Sequence, residues 1–115
     1  MQERRQHIRM ETPVLVQFPH PETMKTERSF TQDVSATGIR FPTAVRLRVG
    51  QEMPLALQLP FLDATMHATA RVLWVREISR HGAPQYEIGA QFRWIEDPDR
   101  QQLVDHLSGL LRRRV

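Results

Sequence analysis

A mainly β fold, a six-stranded antiparallel β-barrel with a C-terminal α-helix, is predicted by three observations on the 115-residue sequence. Apolar residues recur at every second position through most of the chain. The alternating stretches are joined by short turn-like segments, with no intervening helical pattern. After Asp97 the apolar period changes from two to about three and a half. Strands joined by such short links pair antiparallel, and a barrel is the arrangement that closes its own edges.

The elements follow in order. After Pro13, Val14, Val16 and Phe18 alternate with Leu15 and Gln17 in a first strand whose two faces are both partly apolar. Pro19-His20-Pro21-Glu22-Thr23 is a turn or loop. Arg28 to Val34 reads as the second strand and runs into a turn over Asp33 to Gly38, which Ile39 to Phe41 leaves as a short third strand. Gly50 marks another turn. Met53 to Leu59 is the fourth strand, with Leu55, Leu57 and Leu59 on one face and Pro54 near its start, a position that suggests an edge. Met66 to Ile78 is a long fifth strand. Met66, Ala68, Ala70, Val72, Trp74 and Arg76 fall on one face, and His67, Thr69, Arg71, Leu73, Val75 and Glu77 on the other. Ser79 to Pro84 makes a hairpin loop, and Tyr86, Ile88, Ala90, Phe92 and Trp94 alternate along the sixth strand. Asp97-Pro98-Asp99 then supplies an N-cap, a first-turn proline and a further acid. Leu103, Val104, Leu107, Leu110 and Leu111 share one helical face before Arg112-Arg113-Arg114, where cations suit the helix dipole. The organisation is a basic arm at 1–11, a barrel at 12–96 and a helix at 97–115.

Composition excludes several classes of function. The sequence has no cysteine, which removes disulfides, thiolate-held metals and thiol catalysis and fits a reducing compartment. The N-terminus is charged from Glu3 onward, and no apolar window approaches the roughly 18 residues a spanning helix needs, so a cytoplasmic protein without membrane insertion is expected. The net charge of +3 arises from sixteen basic and thirteen acidic residues. Setting aside Arg4, Arg5, Arg9, Arg112, Arg113 and Arg114 leaves ten basic residues against those thirteen acids. Basicity gathered at the two ends suits a compact anionic ligand better than a polyanion, which needs a continuous basic stripe. The histidines have no ligand spacing such as HExxH, so no metal is expected. No paired nucleophile and base and no phosphate-binding glycine loop occur, so the chain is not expected to be an enzyme.

Two segments carry binding chemistry. Arg4-Arg5-Gln6-His7-Ile8-Arg9 places three guanidinium groups within six residues, and planar paired donors fit both phosphate oxygens and guanine O6 and N7. Asp33-Val34-Ser35-Ala36-Thr37-Gly38 supplies the complement. An ionised Asp33 only accepts, which suits the N1–H and N2–H donors of guanine, and Gly38 allows a sharp turn, a positive φ or a close approach. Asp33 and Ser35 equally suit side-chain bonds that hold a turn, and a turn that fixes Asp33 also preorganises it for a ligand.

The two segments resemble the signature of the PilZ domain family, RxxxR followed after a linker and one strand by (D/N)xSxxG. Here these read Arg5-Gln6-His7-Ile8-Arg9 and Asp33-Val34-Ser35-Ala36-Thr37-Gly38. The resemblance runs from about Glu3 to Arg113. It implies a PilZ-type barrel and the ligand cyclic di-GMP, clamped by Arg4, Arg5 and Arg9 from the arm and held on the barrel by Asp33, Ser35 and Gly38. It also makes Trp74 a candidate to pack on a guanine or on a ligand-bound arginine, although a strand indole equally fills a core. Tyr86, Phe92 and Trp94 are read as barrel filling. The expected function is a cyclic di-GMP receptor and adaptor. Its arm, mobile over residues 1 to about 10, orders over the barrel on binding and signals to an unidentified partner protein in trans, in motility, biofilm or related circuits. Two other readings compete: a PilZ-like interaction module that works without nucleotide, and a small basic β-barrel that binds single-stranded nucleic acid.

Overall fold

The computed structural model describes residues 9–10, 13–59, 65–95, 101 and 105. They form eight strands: β1 (Arg9–Met10), β2 (Leu15–Pro19), β3 (Thr26–Phe30), β4 (Asp33–Ser35), β5 (Gly38–Thr43), β6 (Glu52–Gln58), β7 (Thr65–Arg80) and β8 (Ala83–Ile95). All belong to one antiparallel sheet of order β1-β4-β5-β8-β7-β6-β2-β3.

Eight strands rather than six have two sources. Arg9–Met10, inside the arm, forms a strand of its own beside β4. The expected second strand also divides, because its middle residues bond to opposite ends of the sheet. The Thr31 amide donates to the Val14 carbonyl at 2.9 Å, and the Gln32 amide donates to the Arg40 carbonyl at 2.7 Å.

That division rolls the sheet. β3 and β4 lie six strand positions apart in the ladder, about 29 Å if the sheet were flat. Three peptide steps from Phe30 to Asp33 reach at most about 11 Å. The chain therefore draws the two ends together, and Ser29 Oγ donates to the Pro42 carbonyl across the gap. No ladder joins β3 to β4 or β1 among the described residues, so the sheet is an open half-barrel rather than the closed one expected.

The inner face is the core. Val16, Phe18, Val34, Phe41, Leu57, Met66 and Ile88 are buried, and the Phe18 and Phe41 rings meet at 5.5 Å between centroids across the rolled sheet. The strict alternation in β2, β5 and β6 matches the period of two in the sequence. β6 is an interior strand, not an edge. β2 pairs only with Ala56 to Gln58, however, so Pro54 stands where β6 has one neighbour.

β7 and β8 depart from simple alternation. Register shifts fall between Thr69 and Ala70 and between Val72 and Trp74. An extra residue in a strand reverses the faces that follow. Trp74 thus turns outward, and Val75 packs against the core in its place. On β8 the pairing steps from Phe92 to Trp94, so Phe92 is buried while Trp94, expected as filling, is 57% exposed. The hairpin tip is shorter than predicted: His81 and Gly82, both at positive φ, form a two-residue loop of the type I′ kind.

Of the expected helix at 97–115, Gln101 and Asp105 are described, with Gln101 Nε2 donating to Asp105 Oδ1 at 2.8 Å. The rest of that segment and residues 1–8 of the arm lie outside the described residues. Among the described residues no helix is long and apolar enough to cross a membrane.

Candidate functional site

The DxSxxG segment is the β4–β5 hairpin, in which only Ala36 and Thr37 link the two strands. Ser35 ties it. Its Oγ accepts from the Thr37 amide at 3.2 Å and the Gly38 amide at 3.3 Å, and lies 3.1 Å from Thr37 Oγ1. The Phe92 amide donates to the Thr37 carbonyl at 2.8 Å and so docks the turn on β8. Ser35→Ala is expected to lower stability by about 1–2 kcal/mol, because two amides lose their acceptor. The shift in the urea midpoint at unchanged slope measures it.

Gly38 serves by its size rather than by its dihedral. Among the described glycines positive φ occurs at Gly50 and Gly82, not at Gly38. A Cβ on Gly38 would run into the carbonyl oxygen of Ala90 on the neighbouring strand.

The registers place four residues in one row across four strands. Asp33 on β4 faces Arg40 on β5, Arg40 faces Gly89 on β8, and Gly89 faces Trp74 on β7. The row spans about 14 Å. It lies on the outer face, since the sequence neighbours Val34, Ile39, Ile88 and Val75 pack inward. Asp33 Oδ2 stands 3.0 Å from Arg40 Nε in an ion pair, with the aspartate side chain 12% exposed and the arginine side chain 41%. Trp74 lies down over Gly89, where any Cβ would collide with the indole.

Around this row is a groove of about 440 Å³, completed by Ser35, Thr37, Gly38, Leu73 and Gln91. It offers a carboxylate acceptor, a guanidinium donor, an aromatic ring and a floor stripped of side chain at Gly89. That set suits a flat heterocycle with N–H donors better than a metal. No group of three or more His, Asp or Glu placed to hold a metal occurs among the described residues.

The structure brings Asp33, Ser35, Gly38 and Trp74 to this one groove. Arg9 enters through its backbone, its Cα paired with that of Ser35 by the β1–β4 ladder. Arg4 and Arg5 lie outside the described residues. Arg40 and Gly89 were not singled out from the sequence. Each left a trace there: Arg40 is two residues beyond Gly38 on the same strand face, and Gly89 interrupts an apolar strand, where glycine often marks a close approach.

A model of the PilZ domain family matches residues 3–109. No curated protein matches the chain in sequence. Among solved structures it is similar to the Bacillus subtilis inhibitor of motility MotI/DgrA, with a TM-score of 0.75 and 21% identity over 98% of this chain and 52% of that one. It is also similar to the PilZ domain of Escherichia coli YcgR with c-di-GMP, with a TM-score of 0.69 and 17% identity over 97% of each chain. A third is the K. pneumonia MrkH–c-di-GMP complex, with a TM-score of 0.78 and 17% identity over 99% of this chain and 55% of that one. The chain thus spans about half the length of the MotI/DgrA and MrkH chains. At these identities the likeness is one of fold.

Proposed function

The chain belongs to the PilZ domain family, and on that premise we propose that it is a receptor for cyclic di-GMP that acts by binding, without catalysis. One observation carries the reading. The β1–β4 ladder sets Arg9, the last residue of RxxxR, opposite Ser35 of DxSxxG, and Ser35 lines the groove. Cyclic di-GMP presents anionic phosphates and flat guanines in a compact ring, and the groove and arm hold a partner for each. Arg4, Arg5 and Arg9 take the phosphates, Asp33 takes the N1–H and N2–H edge of a guanine, and Trp74 packs on a ring.

Binding relieves the repulsion among the arm arginines and orders the arm preceding β1 over the groove, which changes the surface presented to a partner protein in trans. In this reading 1–11 is the arm, 12–96 the barrel and 97–115 a helix, in a cytoplasmic protein. The PilZ domain of YcgR and MrkH have been solved with c-di-GMP, and MotI/DgrA is an inhibitor of motility. These similarities support the ligand and a place in motility control.

Exposed Trp94 beside Arg93 favours a single-stranded nucleic-acid reading. Arg93 and Arg71 both lean toward Glu52, at 3.9 Å each, which weakens that face as a polyanion track.

Tryptophan fluorescence tests the receptor reading, because Trp74 and Trp94 are the two tryptophans of the chain. Cyclic di-GMP should quench saturably in the wild type and in Trp94→Phe but not in Trp74→Phe. Quenching lost in Trp94→Phe and kept in Trp74→Phe would move the ligand away from the groove.

A further inference from the structure

We propose that Arg40 is a positioning residue that sets the guanine selectivity of the site by fixing the Asp33 carboxylate; this rests on the cyclic di-GMP reading above. The geometry behind it is a cross-strand pair on the outer face of the β4–β5 hairpin. Asp33 and Arg40 are direct register partners, and Arg40 Nε stands 3.0 Å from Asp33 Oδ2 in an ion contact without hydrogen-bond geometry. The Arg40 backbone is itself held, its carbonyl accepting from the Gln32 amide at 2.7 Å and its strand paired on the other side with β8 at Gly89.

Selectivity for guanine by a carboxylate depends on direction. One carboxylate accepts both N1–H and one N2–H only when its plane is close to that of the base, so free rotation about the Cβ–Cγ bond would spoil the reading. A cation beside Oδ2 on the neighbouring strand favours one orientation of the carboxylate before the ligand arrives, and orienting a group in advance lowers the ordering cost of binding. Arg40 fits this role better than a lysine would. The Arg40 Nε is shielded from solvent beside Oδ2, so its charge sits at a fixed place, whereas an ammonium on a flexible stem is not held there. With its side chain 41% exposed in the groove wall, Arg40 is not part of the apolar core.

The test compares two ligands that differ only at the edge Asp33 reads: cyclic di-GMP, and cyclic di-IMP, which lacks the 2-amino group and keeps the phosphates. Calorimetric affinities of both are measured for the wild type, Arg40→Gln and Arg40→Lys, with melting temperatures as a check on folding. The wild type should prefer cyclic di-GMP by about tenfold or more, as expected for one lost bond to a charged acceptor. Arg40→Gln should weaken cyclic di-GMP more than cyclic di-IMP, which keeps N1–H but has no N2–H to lose, bringing the ratio to about threefold or less. Arg40→Lys should fall between the two. A purely structural Arg40 would lower both affinities together at constant ratio, and that result overturns the proposal, as does an unchanged ratio at unchanged affinity. A wild type that binds neither ligand removes the receptor reading and this inference with it. A wild type that binds both equally spares the receptor reading and removes the inference alone.

Discussion

Gly38→Ala is expected to lower stability by about 1–3 kcal/mol and to weaken cyclic di-GMP binding by more than about tenfold. One methyl group has this effect because of what it meets. The added Cβ would strike the Ala90 carbonyl oxygen and stand 3.3 Å from both the Ala90 carbonyl carbon and the Gln91 Cα. All three are backbone atoms of β8, and no flexible side chain is there to yield. Either β5 lifts from β8, against the register that runs from Gly38–Gln91 to Thr43–Tyr86, or the Ser35–Gly38 turn opens and releases its amides from Ser35 Oγ. Both routes displace Asp33 relative to Trp74, so stability and binding fall together. Denaturant melts and calorimetry on the same preparation check both halves. Wild-type stability with wild-type affinity would mean that β5 and β8 are looser than this register implies.

The second large effect is confined to binding. Arg5→Ala and Arg9→Ala should each weaken cyclic di-GMP binding by more than about 1.5 kcal/mol, the scale of a charge-assisted contact. The melting temperature should hardly move in Arg5→Ala, if Arg5 acts on the ligand alone. The wild-type affinity should also fall as salt is raised, and the slope should be shallower in each variant, because fewer cations engage the phosphates. Calorimetry at two ionic strengths reads both quantities. Near-native affinity in both variants would refute the arm clamp while leaving the groove itself in place.

The contrast between these two variants reflects what the sequence could disclose. Period two made β2, β5 and β6 legible, because each keeps one face on the core without interruption. The motif residues Asp33, Ser35 and Gly38 were legible as chemistry, since carboxylate, hydroxyl and glycine each do something particular in a turn. The outward turn of Trp74 was not legible. It depends on the register shift after Val72, and a strand bulge adds one residue without any compositional mark. Trp94 was misplaced for the same reason, by the step in pairing between Phe92 and Trp94.

Arg40 shows a different limit. Its partnership with Asp33 is a property of register, and register is set by the turn, by the docking of Thr37 on Phe92 and by the whole β5–β8 ladder rather than by residues near Arg40. Gly89 is similar: its meaning comes from an indole fifteen positions earlier in the chain, folded across it from another strand. The division of the second expected strand followed from hydrogen bonds made by Thr31 and Gln32 to opposite ends of the sheet. A pattern read along one segment has no access to such partners.

In the proposed receptor the arm motif and the hairpin motif form one pocket for cyclic di-GMP. Isothermal titration of the wild-type protein with cyclic di-GMP, with GMP as the control ligand, tests it most directly. Saturable binding of cyclic di-GMP at micromolar affinity or tighter is expected, with no comparable heat from GMP, which cannot engage the arm and the hairpin at once. No heat and no thermal shift at high cyclic di-GMP would contradict it and would leave a PilZ fold that works through protein contacts alone.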